Sequence, residues 1–200
     1  MVSRIIISLG ILGILAFSAT SVNAATDLRI VDSAALGTRR NLPWSELVEI
    51  NDPFEGKFVG VFDRHYFNDR FLNTTARIEV QSLWSRESIR FLLIIRDRDC
   101  LSRSFHYGVS SVLSCSELSN ARNIIELFIK INDDVLQVAG QNSTFPVSEE
   151  LAQALKNAPD ARISIRLVTQ SGETIDSEIG QGTVEVWRRL YTSQARLIGE

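Results

Sequence analysis

The sequence predicts a mainly β domain, an antiparallel sandwich or strongly bent sheet of about six to nine strands, with one helix at about 148–157 and a second at about 183–193. Three observations carry this. Apolar residues recur with a period of two through most of the chain, Gly, Asn and Asp clusters punctuate the apolar runs, and only two segments keep the 3, 4 spacing of a helix. The 200 residues are 44% hydrophobic and 22% charged, with 4 Pro and 2 Cys. That balance excludes long disorder, a dense disulfide scaffold and a polytopic membrane protein.

Taken in order, Arg4 precedes an apolar stretch from Ile5 to Ala16, and Val22-Asn23-Ala24 places small residues three and one before a cut. A helix of this stretch is too short to cross roughly 30 Å of bilayer hydrocarbon, so residues 1–24 read as a signal peptide cleaved after Ala24. A retained anchor is the alternative. Residues 25–200 then form one β-rich domain, secreted or periplasmic, with no further membrane segment. Residues 25–53 and 101–119 read as loops with short strands.

Lys57 to Phe62 reads as a strand, and Ala76-Arg-Ile-Glu-Val-Gln81 alternates apolar and polar residues as a half-buried one. Ile89 to Ile95 is apolar on both pleat faces, as a central strand is. Ile124–Ile131 and Val135–Ala139 form a hairpin across Asp133-Asp134, which sets Ile131 against Leu136 and Ile129 against Val138. Ile163–Leu167 and Ile175–Ile179 form a second. Its three-residue loop, Gln170-Ser171-Gly172 with Gly172 left-handed, sets Leu167 against Ile175 and Arg166 against Asp176.

Ser148 caps the first helix, Glu149 and Glu150 meet its positive end, Lys156 its negative end, and Pro159 forbids continuation. In the second, Val184, Trp187 and Tyr191 keep helical spacing and Thr183 serves as cap.

Cys100 and Cys115 are the two cysteines, and in an exported chain they pair in one way. The chain-entropy model gives such a loop about 3 kcal/mol. A reactive thiol beside His106 is the alternative. Asn73-Thr-Thr and Asn142-Ser-Thr are N-glycosylation acceptors if the source modifies exported proteins, and both fall on expected turns.

No Gly-x-Ser-x-Gly elbow, phosphate loop or closely spaced His or Cys pair is present, so the sequence asks for no cofactor and no metal. Basic residues number 21, of which all but Lys57, Lys130 and Lys156 are Arg, and acids number 24. Loss of Arg4 with the signal peptide makes the net charge more negative, which argues against nucleic acid. In Arg96-Asp-Arg98-Asp the two arginines share one pleat face and the two aspartates the other. This marks Arg96 and Arg98 as a recognition surface for an anionic partner. The leading expectation is an exported, non-catalytic binding protein of the cell envelope or extracellular space, its partner another protein or a glycan. Two rivals remain. A small hydrolase would use His65 or His106 with a carboxylate, and a sugar-binding module would expose tryptophans, Trp84 among Trp44, Trp84 and Trp187.

Overall fold

The computed structural model describes residues 28–37, 41–71, 74–102 and 113–192, those at 69–71, 74–75, 97–102 and 113–118 by backbone alone. The expected signal peptide, Asn73 and His106 lie outside the described residues. Strands β1 (Arg29–Val31), β2 (Leu47–Asp52), β3 (Gly56–Phe71), β4 (Thr74–Ser85), β5 (Ser88–Ser102) and β6 (Leu113–Arg122) are followed by β7 (Ile124–Ile131), β8 (Asp134–Ala139) and β9 (Thr144–Pro146). Helix α1 (Glu149–Lys156), strands β10 (Ile163–Thr169) and β11 (Thr174–Ile179), and helix α2 (Gln181–Thr192) complete the order.

The strands form two open sheets. The larger runs β1-β2-β3-β4-β5-β6, with β9 also on β5, and is antiparallel apart from β1 on β2. The smaller is antiparallel and runs β11-β10-β7-β8. The mainly β class with two helices is as the sequence predicts, although the strands among the described residues number eleven. The surplus comes partly from short pieces such as β1 and β9, whose three residues each carry too little periodicity to register. Among the described residues no helix is long and apolar enough to cross a membrane.

Burial explains the layering. Val61, Val80, Trp84, Phe91 and Leu93 of the large sheet share one core with Leu127, Ile129, Ile165 and Leu167 of the small one and with Leu155, Val184 and Trp187 of the helices. Trp84 and Trp187 are its largest fully buried members, with ring centroids 4.5 Å apart. On the opposite face of the large sheet a smaller cluster, Ala34, Leu42, Ile50, Phe62 and Leu83, lies under the N-terminal segment. Strand β4 is therefore covered on both faces. Glu79 and Gln81, which the alternation assigned to solvent, are 3% and 6% exposed, so the half-buried reading is corrected.

Both helices start by identifiable chemistry. The Ser148 hydroxyl accepts the Leu151 N–H at 3.1 Å, and Leu151, Ala152 and Leu155 face the core. Helix α2 begins at Gln181, two residues earlier than expected, and Thr183 is not its cap. The Gly180 carbonyl accepts the Thr183 and Val184 N–H groups, while Thr183 is buried in the first turn.

The β10–β11 hairpin has the expected register, Leu167 opposite Ile175 and Arg166 opposite Asp176, and the Arg166 guanidinium donates to both Asp176 oxygens at 2.6 and 2.9 Å. The β7–β8 hairpin differs: its two loop residues are Asn132 and Asp133, which pairs Ile129 with Leu136 and Leu127 with Val138. The two-residue slip preserves the pleat face, so hydrophobic matching alone does not separate the registers. Asn132 decides, because it takes the left-handed φ of 56° that a tight hairpin needs and Asn tolerates.

Gly172 has φ +85°, and a β-carbon there would meet nothing within 4 Å. Gly172→Ala is thus a purely conformational change, expected to cost about 1 kcal/mol by denaturant titration. A stabilised variant would contradict the left-handed assignment.

Candidate functional site

The face of the large sheet beneath the N-terminal segment carries the densest chemistry. Antiparallel pairing sets Tyr66 opposite Glu79, Asn68 opposite Arg77, and Arg77 opposite Arg96. Directly paired residues share a pleat face, so Arg64, Tyr66, Arg77, Glu79 and Arg96 all lie on this one.

Glu79 organises it. Its carboxylate accepts the Gln81 amide at 2.6 Å and lies 3.0 Å from Arg96 Nη1, while Gln81 accepts the Gly37 N–H at 2.8 Å. Burial, and then the negative charge and hydrogen bond of Glu79, hold the Tyr66 phenol above its ordinary pKa, so it remains a neutral donor. Two further guanidiniums lie on aromatic rings. That of Arg64 is 4.5 Å from the Trp44 ring and 4.8 Å from the Tyr66 ring, and that of Arg77 is 4.8 Å from Tyr66.

Among the described residues Arg64 and Arg77 lack a counter-charge. Arg77 and Arg96 stand directly opposite each other on adjacent strands, an arrangement that destabilises a sheet. Glu79 answers Arg96, whereas Arg64 and Arg77 are exposed and form no ion pair among the described residues. Stacked guanidiniums keep their N–H edges available for an oxyanion.

The positions marked from sequence divide as follows. Arg96 belongs to this face. Arg98 takes the next same-face register position, opposite Glu117, and its side chain is outside the described residues. The sequence reading missed Arg64, Tyr66, Arg77 and Glu79. Their period-two spacing was visible in Arg64-His-Tyr66 and Arg77-Ile-Glu79, but joining them requires the β3–β4 register. Trp84 is a correction: it is fully buried, its Nε1 donating to Ser82 Oγ at 2.8 Å, because its strand face meets α2. Trp187 is equally buried, so neither ring stacks on a sugar.

His65 lies on the other face of β3, where the edge of the small sheet meets the large one. Its Nδ1 is 3.0 Å from Ser177 Oγ and accepts the Glu178 N–H at 3.3 Å. Ser177 is 5% exposed, and no carboxylate bonds His65 among the described residues. The nearby Asp63 is committed elsewhere, its Oδ1 accepting the Thr183 hydroxyl at 2.5 Å and the Gly180 N–H at 3.3 Å. Ser177, His65 and Asp63 therefore act as clamps that fasten β11 and α2 to β3, without the relay a nucleophile needs. No group of His, Cys, Asp and Glu among the described residues gathers to hold a metal ion.

No family model matches the chain, and neither a curated protein nor a solved structure matches it.

Burial holds the Asp63 carboxyl above the usual Asp pKa, against the pull of Thr183, Gly180 and His65. A raised folded-state pKa means that its contribution to stability is complete below the unfolded value and declines as pH rises through the folded one. Asp63→Asn keeps an acceptor for Thr183 and Gly180 without a buried charge. Its melting temperature at neutral pH should equal or exceed the parent's, with the difference shrinking in acid. Asp63→Ala should lose about 1–3 kcal/mol. A parent that gains on the Asn variant as pH falls from neutral through the carboxylate range confirms the sign.

Proposed function

We propose that the chain is an exported, non-catalytic binding protein of the cell envelope or extracellular space that recognises an anionic protein or glycan through the arginine face. The observation that carries this is Arg77 directly opposite Arg96, with Arg64 and Arg77 presented on Tyr66 and, among the described residues, no carboxylate paired with either. Local conflicts of this kind concentrate at functional positions. Arg77 and Arg96 repel each other across the strands, and a phosphate, sulfate or carboxylate bound between the Arg64 and Arg77 guanidiniums would offset that charge and be gripped from two sides.

Export rests on the apolar stretch with its Val22-Asn23-Ala24 junction, and places the mature protein in the periplasm or outside the cell. The pairing of β5 with β6 supports the Cys100–Cys115 disulfide, because it sets the two residues directly opposite each other. Directly opposed residues in an antiparallel pair have Cα separations of about 4.5–5.5 Å, within the range a disulfide spans. The bridge would hold the two strands together beyond Arg96 and Arg98.

A chain with 24 acids against 21 bases has no overall attraction for a polyanion, so retention on an immobilised sulfated polysaccharide reports a local patch. The parent should be retained at low salt and elute as salt rises, and Arg64→Gln/Arg77→Gln should pass with the void. Equal behaviour of parent and variant, retained or not, would overturn the assignment.

A further inference from the structure

The outward face of the small sheet holds a groove of about 640 Å³ that the arginine face does not explain. Its floor is one cross-strand row: Val135 opposite Lys130, Lys130 opposite Ser164, and Ser164 opposite Glu178. Phe128 lines it one row away, and His65 closes it at the seam with β3.

The protonation of His65 follows from its partners. A backbone N–H can only donate, so the bond from Glu178 requires Nδ1 to be the bare nitrogen of a neutral imidazole. The ring proton is then on Nε2, and the Ser177 hydroxyl donates to Nδ1. Among the described residues Nε2–H has no hydrogen-bond partner, and neither do the Lys130 ammonium and the Ser164 hydroxyl. The other charges around the groove are matched. Arg166 is held by both Asp176 oxygens, and Glu178 pairs with Arg162 at 3.3 Å.

The groove therefore offers two neutral donors and one unmatched cation beside an apolar patch of Phe128 and Val135, the latter 60% exposed. We infer that it binds a small monocarboxylate with an aliphatic body. The carboxylate would take Lys130, Ser164 and the His65 Nε2–H, and the chain would cover Val135 and Phe128. Charge complementarity selects an anion over a cation, and the single unmatched ammonium fits one negative charge better than a polyanion. Contact with Val135 removes apolar surface that the free protein leaves in water.

Hexanoate titrated into the isotopically labelled chain, with 1-hexanol as its uncharged counterpart, tests the inference by NMR. Hexanoate should shift the Lys130, Val135 and Ser164 amides saturably in the millimolar range or below, and 1-hexanol about tenfold more weakly, as expected for loss of one charged hydrogen bond. Lys130→Gln, an exposed change, should weaken hexanoate to the level of the alcohol. The long-range ¹⁵N spectrum should show His65 as the Nε2–H tautomer. Absence of saturation, equal affinity for the two probes, an unaffected Lys130→Gln variant or an Nδ1–H tautomer would each overturn the site. Shifts at Tyr66 and Arg77 instead would assign hexanoate to the arginine face, likewise overturning it.

Discussion

The Glu79 carboxylate, buried in the middle of the large sheet, is the interaction on which the arrangement of its outer face depends. A buried carboxylate must be hydrogen-bonded or neutralised, and here Gln81, Arg96 and Tyr66 do this together. Gln81 in turn holds Gly37, which helps to fasten the N-terminal segment over the sheet. That cover makes the face dry enough for Ala34, Ile50, Phe62 and Leu83 to form a second core. It also brings Trp44 beside Arg64. One polar group thus fixes where the sheet stops being core and begins to present guanidiniums.

On the opposite face the constraints are apolar and more conventional. Trp84 and Trp187 fill the space between the large sheet and α2, and losing a ring of that size from a core costs about 3–5 kcal/mol. Polar clamps set the positions of the elements around them. Asp63 holds the start of α2, the Tyr191 hydroxyl reaches the Ser85 carbonyl near its end, and His65 with Ser177 ties β11 to β3. These residues would look catalytic in a shorter description. Their partners show that the Asp63 carboxylate, the Tyr191 hydroxyl and the His65 Nδ1 are used in joining elements.

Local chemistry was legible from the sequence wherever one strand or turn decided it. The β10–β11 register followed from matching Leu167 with Ile175 and from one glycine, and Ser148 announced α1. The β7–β8 register did not, because a two-residue slip leaves every side chain on the same face and only the left-handed Asn132 distinguishes the alternatives. The second core was invisible for a different reason. Glu79 and Gln81 have the pattern of a solvated face, and their burial depends on a segment more than forty residues away. Arg96 was found because its run is local. Arg64 and Arg77 needed β3 and β4 in register before they stood together.

The central claim is that Arg64 and Arg77 are kept for an anion and not for the fold. Thermal melts at fixed ionic strength, with chloride replaced stepwise by a polyphosphate, test this most directly, since a ligand that binds the folded state raises its melting temperature. The parent should melt higher as polyphosphate increases, while Arg64→Gln/Arg77→Gln should fold and show no such rise. An equal rise in both proteins, or none in the parent, would contradict the account.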